Sequence, residues 1–468
     1  MTIQETRHPV LGAGTIAEFA EAMRGPVYRP GDEGYEDARP IWNGAHDRRP
    51  ALIAHCAGVA DVLRAVELAR SEHLLVAVRG GGHSIPGFST CDDGLVIDLS
   101  GMQAVHVDPE ARTARVEAGA TWNVFDREAQ EFGLATTGGL VSSTGVAGFT
   151  TGGGVGWLMR KHGLACDNLI SADVVTADGR LVRASADQNA ELFWGLHGGG
   201  GNFGVVTSFE FQLHPVGPMI TGGPTFYPGE RAGEVLRAWR DWTAQAPDEV
   251  TSLANMLTAP PVPFLPEEWH GKPLIAIIAA YSGPSQDGER AVQPLREFAE
   301  PVADLMGPIP YMGLQTLIDP LYAPGSHNYM NAGFLSGLDD TAVDSLMASQ
   351  AAVTSPMSEI HVHHVGGAVA RVAPDATAFG ERDAPFLLNV VARTPGAEGY
   401  HEAVRWGRGV RDSVGSVLTG GTYVNFATDD GQVRAAYGDK YDRLVALKDE
   451  YDPTNLFRLN QNITPSAT

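Results

Sequence analysis

Arg79, Gly80, Gly81, Gly82, His83 and Ser84 are consecutive, and together they read as a place to hold a ligand, with a histidine placed to meet it. Glycine permits positive φ and lets a ligand come close to the main chain. The amides of Gly80 to Gly82 can therefore form an anion-binding concavity. His83 follows at once, and its imidazole is a nucleophile that is neutral near physiological pH. A plain glycine-rich turn beside a surface histidine would look the same locally. Two further glycine-rich stretches shift the balance: GGLVSSTGVAGFTTGGGVGW at 138–157 and ELFWGLHGGGGNFGVVT at 191–207. In the first of them Val141, Val146, Phe149, Val155 and Trp157 alternate with the glycines and need burial, which argues against a flexible low-complexity loop. Three such loops, each beside a predicted strand or helix end, point to convergence on one long ligand.

The elements that must position these loops follow from periodicity. Leu74 to Val78 is an apolar run of strand length that ends in the nest. Ala51 to His55 reads as an earlier strand, and apolar residues at helical spacing make Val59 to Ala69 an amphipathic helix, so a β-α-β unit leads into Gly80. Leu95 to Leu99, Ala104 to Val107 and Ala114 to Glu117 read as strands, and Thr121 can cap a helix over Trp122 to Phe132 stopped by Gly133. A helix over Asn189 to Leu196 precedes the third glycine loop, and Phe203 to Leu213 is extended. His214 to Pro218 reads as a boundary. Beyond it, strands at Thr251–Leu257, Leu274–Tyr281, Tyr329–Phe334, Ile360–Val365 and Pro385–Ala392 interleave with helices at 230–243, 294–300, 341–352 and 402–410. That order predicts an antiparallel sheet with a layer of helices, an α+β arrangement. The expected division is 1–215 for ligand holding, 216–415 as a covering domain, and 416–468 as a segment without a core of its own, with a helix over Tyr441 to Lys448.

Bulk properties narrow the partners. With 56 acidic residues against 33 lysines and arginines, the formal charge of −23 disfavours nucleic acid and anionic membranes. No run approaches the roughly 20 apolar residues of a membrane span. The N-terminus MTIQETRHPV lacks a basic segment followed by an apolar one, so a soluble, cytoplasmic protein is the expectation. Cys56, Cys91 and Cys166 form no paired motif, which argues against a disulfide framework and a cysteine metal site.

Other motifs carry less. There is no G-x-G-x-x-G after a first strand and no phosphate loop, and no G-x-S-x-G elbow of a hydrolase. His361 and His363 in HVHH share a strand face, but two ligands make no selective metal site, so no metal is expected.

The glycine loops resemble the flavin-dependent oxidoreductases of the vanillyl-alcohol oxidase and p-cresol methylhydroxylase superfamily, more narrowly the berberine-bridge-enzyme-like branch. The matching segments are RGGGHSIPGF at 79–88, GVAGFTTGGGVGW at 145–157, KHGLACDNL at 161–169, ELFWGLHGGGGNFGVVT at 191–207, TYVNF at 422–426 and YGDKYDRLVALKDEYDPTNLFRLNQNI at 437–463. The resemblance implies a two-part FAD-binding domain, a substrate domain roofing the flavin ring, and a C-terminal segment returning to the first. It implies that His83 bonds covalently to the flavin, that Arg79 and Gly80 to Gly82 face the pyrophosphate with Ser84 beside them, that Thr144, Gly145, Gly148, Thr151 and Gly153 line diphosphate and flavin, and that Gly204 and Val206 lie near adenine.

Two departures from the family pattern matter. Val141 stands where many relatives carry a second tethering cysteine, so a single covalent link, as in a bacterial member of the branch, is expected. Phe426 replaces the last tyrosine of the family's Y-x-N-Y motif, and a phenyl ring accepts no proton. Asn425 remains for hydrogen bonding. A base, if needed, must come from elsewhere, with Tyr329 and His363 leading, and Tyr423 and His327 behind. The implied activity is oxidation of a small phenolic, alcohol, amine or secondary-metabolite substrate by hydride transfer, with dioxygen as acceptor and peroxide as product. The rival readings are a flavin-binding protein with little turnover, or a flavin-dependent cyclase or dehydrogenase with another acceptor.

Overall fold

A computed structural model describes residues 11–428 and 433–467. The leader-peptide expectation at MTIQETRHPV lies outside the described residues. The architecture is α+β, as the periodicity implies. In the N-terminal part, strands Leu52–His55 and Val76–Arg79 flank Leu95–Asp98, each parallel to it, and Val27–Tyr28 adds antiparallel at one edge. The helix Val59–Ser71 joins the first two strands, so the predicted crossover exists, but with a third strand inserted between its ends. Val62, Ala65, Val66 and Ala69 are fully buried along one stripe of that helix.

A second, antiparallel sheet has the order Val105–Asp108, Thr113–Glu117, Val205–Gln212, Leu169–Val175, Leu181–Ser185. Helix Trp122–Gln130 buries Trp122, Phe125 and Ala129, and Trp122 and Phe125 make edge contacts with Phe149 and Phe211. The glycine-rich 138–157 stretch is helical only over Val146–Thr151.

The covering sheet has eight antiparallel strands: Ala303–Asp304, Met219–Pro228, Pro273–Tyr281, Val250–Thr258, Glu359–His364, Phe386–Thr394 and His327–Leu335 in order, with Gly307–Pro310 also on Met219–Pro228. Helices Ala232–Thr243, Asp340–Ala351 and Tyr400–Ser413 cover one face. Side chains alternate across it, as a two-residue period requires. Phe386, Leu388, Val390 and Ala392 join the helical layer, while Leu387, Asn389 and Val391 face the other way.

Met219–Pro228 carries no strand signal in the sequence, because Gly222, Gly223 and Pro224 look like a turn. They are small for a packing reason: a Cβ on Gly222 would press on the Ala279 carbonyl, and one on Gly223 on the Leu305 carbonyl. The C-terminal residues Tyr437, Leu444, Leu447, Leu456, Phe457 and Ile463 complete the core of the N-terminal part. Lys448 is fully buried there, holding the Asn202 and Phe457 carbonyls and Asp452.

Candidate active site

The three glycine loops meet. A Cβ on Gly81 would overlap the Gly145 backbone, and one on Gly145 the Gly81 backbone, so only glycine at both lets the first two loops touch. With the third loop they border one cavity of about 330 Å³, lined by Gly80 to Gly82, His83, Ser84, Thr144, Gly145, Gly148, Thr151, Gly200, Gly201, Gly204 and Val206. A Cβ on Gly148 or Gly201 would meet nothing, because both open directly onto this space. Asn460 and Gln461 of the C-terminal segment form part of the same wall. The Asn460 Oδ1 and Ser89 Oγ atoms are buried there without a protein partner, which calls for ligand hydrogen bonds. Among the described residues, no lysine, arginine, aspartate or glutamate lines the cavity.

His83 is half-buried in this cavity and stacks on Trp42, ring centroids 4.8 Å apart. Burial pushes its pKa down to about 4, so the imidazole is neutral at pH 7. Its Nε2 lies 2.9 Å from Ser143 Oγ. Val141 borders the same lobe, and among the described residues no cysteine reaches the cavity. Cys166 is fully buried elsewhere, and burial drives its thiol pKa upward.

Two expected floor residues sit differently. Arg79 does not line the cavity: its guanidinium is paired with the buried Asp98 carboxylate at 2.8 Å and with the Pro40 carbonyl at 3.3 Å. An unpaired guanidinium under the nest would be costly to bury, and Asp98 removes that cost. The floor of the cavity is thereby left with main-chain amides and hydroxyls rather than a cation. Gly153 is also outside the lining, with a positive φ and the Phe379 ring against it.

The candidate bases separate likewise. His363 lines the cavity, with its ring stacked toward Phe426 at 6.0 Å. Burial pushes its pKa down to about 3. Tyr329 is buried on the opposite face of the roof sheet, in the helical layer, with Arg408 Nε donating to its hydroxyl at 3.3 Å. It is one residue out of phase with Met330, which does line the cavity. Tyr423 is buried outside the lining, and its oxygen accepts from the Gly154 and Val155 amides and from Asn425 Nδ2. Burial raises its pKa to about 12 despite those bonds. His327 is likewise absent from the lining and packs edge-on to Tyr400. Asn425 and Phe426 do border the cavity, the amide of Asn425 also bonding the Phe149 carbonyl.

Sequence reasoning misses the rest of the roof. Tyr322, His361 and Asn389 line it, and His361 and Asn389 are directly paired across neighbouring strands. Behind them lies Glu359, buried, with Oε2 at 2.8 Å from both the Tyr322 hydroxyl and His361 Nε2. Arg393 Nη2 approaches Oε1 at 3.5 Å. Burial alone would raise the Glu359 pKa, but the His361 hydrogen bond, the Arg393 charge and the Tyr322 hydrogen bond bring it below its ordinary value. The HVHH alternation is the one available signal, since it places His361 and His363 on one face. Nothing local ties Tyr322, Asn389 or Arg393 to them.

These features describe one cleft between glycine loops and a β-sheet roof, and comparison with known proteins gives the family to which such a chain belongs. The FAD binding domain family matches residues 50–185, and the berberine and berberine-like family matches 422–464. An FAD-linked oxidoreductase of Dictyostelium discoideum is 31% identical over 454 residues, covering 96% of this chain and 97% of that one. The (R)-6-hydroxynicotine oxidase of Paenarthrobacter nicotinovorans is 31% identical over 469 residues, covering 96% and 98%. A crystal structure of 6-hydroxy-D-nicotine oxidase from Arthrobacter nicotinovorans superposes with a TM-score of 0.86 at 28% identity, covering 95% and 98%. The chain belongs to the FAD-linked oxidoreductases of the berberine-bridge-like family. It is an FAD-dependent oxidoreductase. No helix among the described residues is long and apolar enough to cross a membrane.

Proposed function

We propose that this protein is an oxidase for a small phenolic, alcohol, amine or secondary-metabolite substrate, with FAD attached covalently through His83 alone. Residues 1–215 and 416–468 hold the dinucleotide and 216–415 supply the roof. The observation that carries the reading is the continuity of one cavity from the glycine floor and His83 to an apolar lobe under His361 and His363. The floor suits the group: two glycines open onto the space, buried Ser89 and Asn460 oxygens await partners, and main-chain amides rather than cations are left to meet the diphosphate. FAD held there would supply the hydride acceptor for substrate oxidation and the route by which the electrons reach dioxygen to give hydrogen peroxide.

The chain's own residues do the rest. His83 offers a neutral ring nitrogen as the attachment point, and Trp42 stacked on it fixes the ring plane. Val141 leaves no second tether. Ile318, Tyr322, Met330 and Phe426 exclude water and orient a substrate by burial of its apolar faces. Intact-mass analysis should find one FAD added to the polypeptide, absent in His83→Ala, and peroxide release should accompany turnover of an alcohol, phenol and amine panel. Unmodified polypeptide mass, or substrate conversion without a change of two mass units, would overturn the reading.

A further inference from the structure

Two buried polar atoms on the roof have no partner: Asn389 Oδ1 and His363 Nε2. Both residues are at most 3% exposed, and both border the cavity. Between them in the sheet stands His361, 5% exposed, with Nε2 bonded to Glu359. No described residue bonds its Nδ1. A buried polar atom without a partner is costly, and two of them beside the unbonded His361 Nδ1, on one patch of an otherwise apolar lobe, mark where a ligand's polar edge belongs. The walls facing this patch are aromatic or flexible, namely Tyr322, Phe426 and Met330. A flat ring with polar substituents along one edge fits that combination.

The geometry points to His361 as the proton acceptor for a hydroxyl on a planar aromatic substrate, with Glu359 as the positioning residue behind it. The assignment rests on the oxidase reading above and narrows its substrate class. With Nε2–H donated to the Glu359 carboxylate, the lone pair is on Nδ1. The substrate O–H bond breaks, an N–H bond forms at Nδ1, and the electron pair stays on oxygen as an aromatic oxyanion. The imidazolium so formed is 2.8 Å from a carboxylate that Tyr322 and Arg393 hold in place. This is the role a buried carboxylate plays behind a general-base histidine. Other groups facing His361 do not compete. Tyr322 is kept protonated by burial and the Glu359 charge, and His363 is kept neutral by burial. Asn389 Oδ1 and His363 Nε2 remain to meet further polar groups on the ring.

The test needs no knowledge of the natural substrate. 4-Nitrophenol changes colour on ionisation, and its binding to the holoenzyme can be followed by difference absorbance at a pH below its own pKa. The wild type should bind the dye as phenolate, its ionisation equilibrium displaced at least about tenfold, one pKa unit, from that of free dye. His361→Asn should bind it protonated, and Glu359→Gln should reduce the ionised fraction, both with full flavin content. Tyr329→Phe, altered on the opposite sheet face, should match the wild type. If His361→Asn loses flavin, His361→Gln and Glu359→Gln carry the comparison. Dye bound in protonated form by the wild type, equal ionisation in the His361 variants, or no dye binding would each overturn the assignment. Air reoxidation of the dithionite-reduced samples, with peroxide measured, checks the oxidase reading separately. Peroxide with a negative dye result sinks only the role of His361, whereas missing flavin or missing peroxide sinks the oxidase reading itself.

Discussion

The floor and the roof of this cavity are built by opposite strategies. The floor comes from short contiguous segments, 80–84, 144–151 and 200–206, whose glycines do their work wherever the loops meet. The roof takes one or two side chains from each of several strands and segments, with Met330, His361, His363 and Asn389 brought together by sheet register and Tyr322 added from the short helix Asp319–Tyr322. A change on the floor should therefore abolish cofactor retention outright. A change on the roof should be graded by which way its side chain points.

His83→Ala should have the largest effect. It removes the nucleophile that one neutral imidazole supplies at the floor, and no thiol is near enough to replace it. After denaturation all yellow colour should pass to the supernatant, whereas the wild type should keep it with the polypeptide. Retention of colour by the variant would show that the attachment lies elsewhere. Val141→Cys is the complementary change, adding a thiol at the cavity wall. A flavin-bearing peptide containing residue 141 is the expected product, detected by mass spectrometry after refolding with FAD.

The seam between the two regions should respond next, and in a pH-dependent way. Asp126, on the helix beneath the floor, accepts a bond at 2.8 Å from Gln315 Nε2 on the roof side. Its Oδ1 and the nearby buried Tyr311 hydroxyl have no partners. Burial pushes the Asp126 pKa from 3.8 up to about 7. A folded state that holds its proton more tightly than the unfolded one loses stability as pH rises from about 4 to 7, and the loss is complete above 7. At about 1.4 kcal/mol per unit, that is roughly 4 kcal/mol at most. Asp126→Asn keeps the carbonyl acceptor without the charge. Urea denaturation should find it more stable than wild type by a few kcal/mol at pH 8, by about half of that or less at pH 5, and nearly equal at pH 3.5. A constant difference across pH would mean that the carboxyl is not the titrating group.

Much of the floor is legible in the sequence, because a glycine run after an apolar strand carries its own meaning. The exceptions are Arg79 and Gly153. Arg79 stands in the nest motif, but Asp98 is its partner across the neighbouring parallel strand, and that pairing is not visible from local sequence. The roof is legible as strands but not as a surface. His363 and Tyr329 both fall in predicted strands. Which face each presents depends on a two-residue phase relative to the core, and apolar residues fill both faces of this sheet. Nothing in the alternation around Tyr329 separates it from Met330, because both are buried. The Glu359 network is illegible for a further reason: its four members come from separate positions spanning residues 322 to 393.

The smallest effect expected is also the one that best tells the two faces of the roof apart. Tyr329→Phe removes one hydroxyl from the helical side of the roof, where its ring lies under the Arg408 guanidinium, 5.5 Å from the ring centre. The ring and its packing stay. Losing a hydrogen bond to a partner that remains charged costs on the order of 1 kcal/mol of stability, readable as a small shift of the urea midpoint. Flavin content and turnover should not change, because a strand separates that hydroxyl from the cavity. His363→Phe, on the cavity side two strands away, removes a polar atom that no protein group satisfies. It should leave the fold as stable or more so while weakening substrate binding. Opposite signs of stability and function in this pair would establish the face assignment. Equal losses of turnover in both variants would mean that the register of the roof, and the whole floor-and-roof division with it, is wrong.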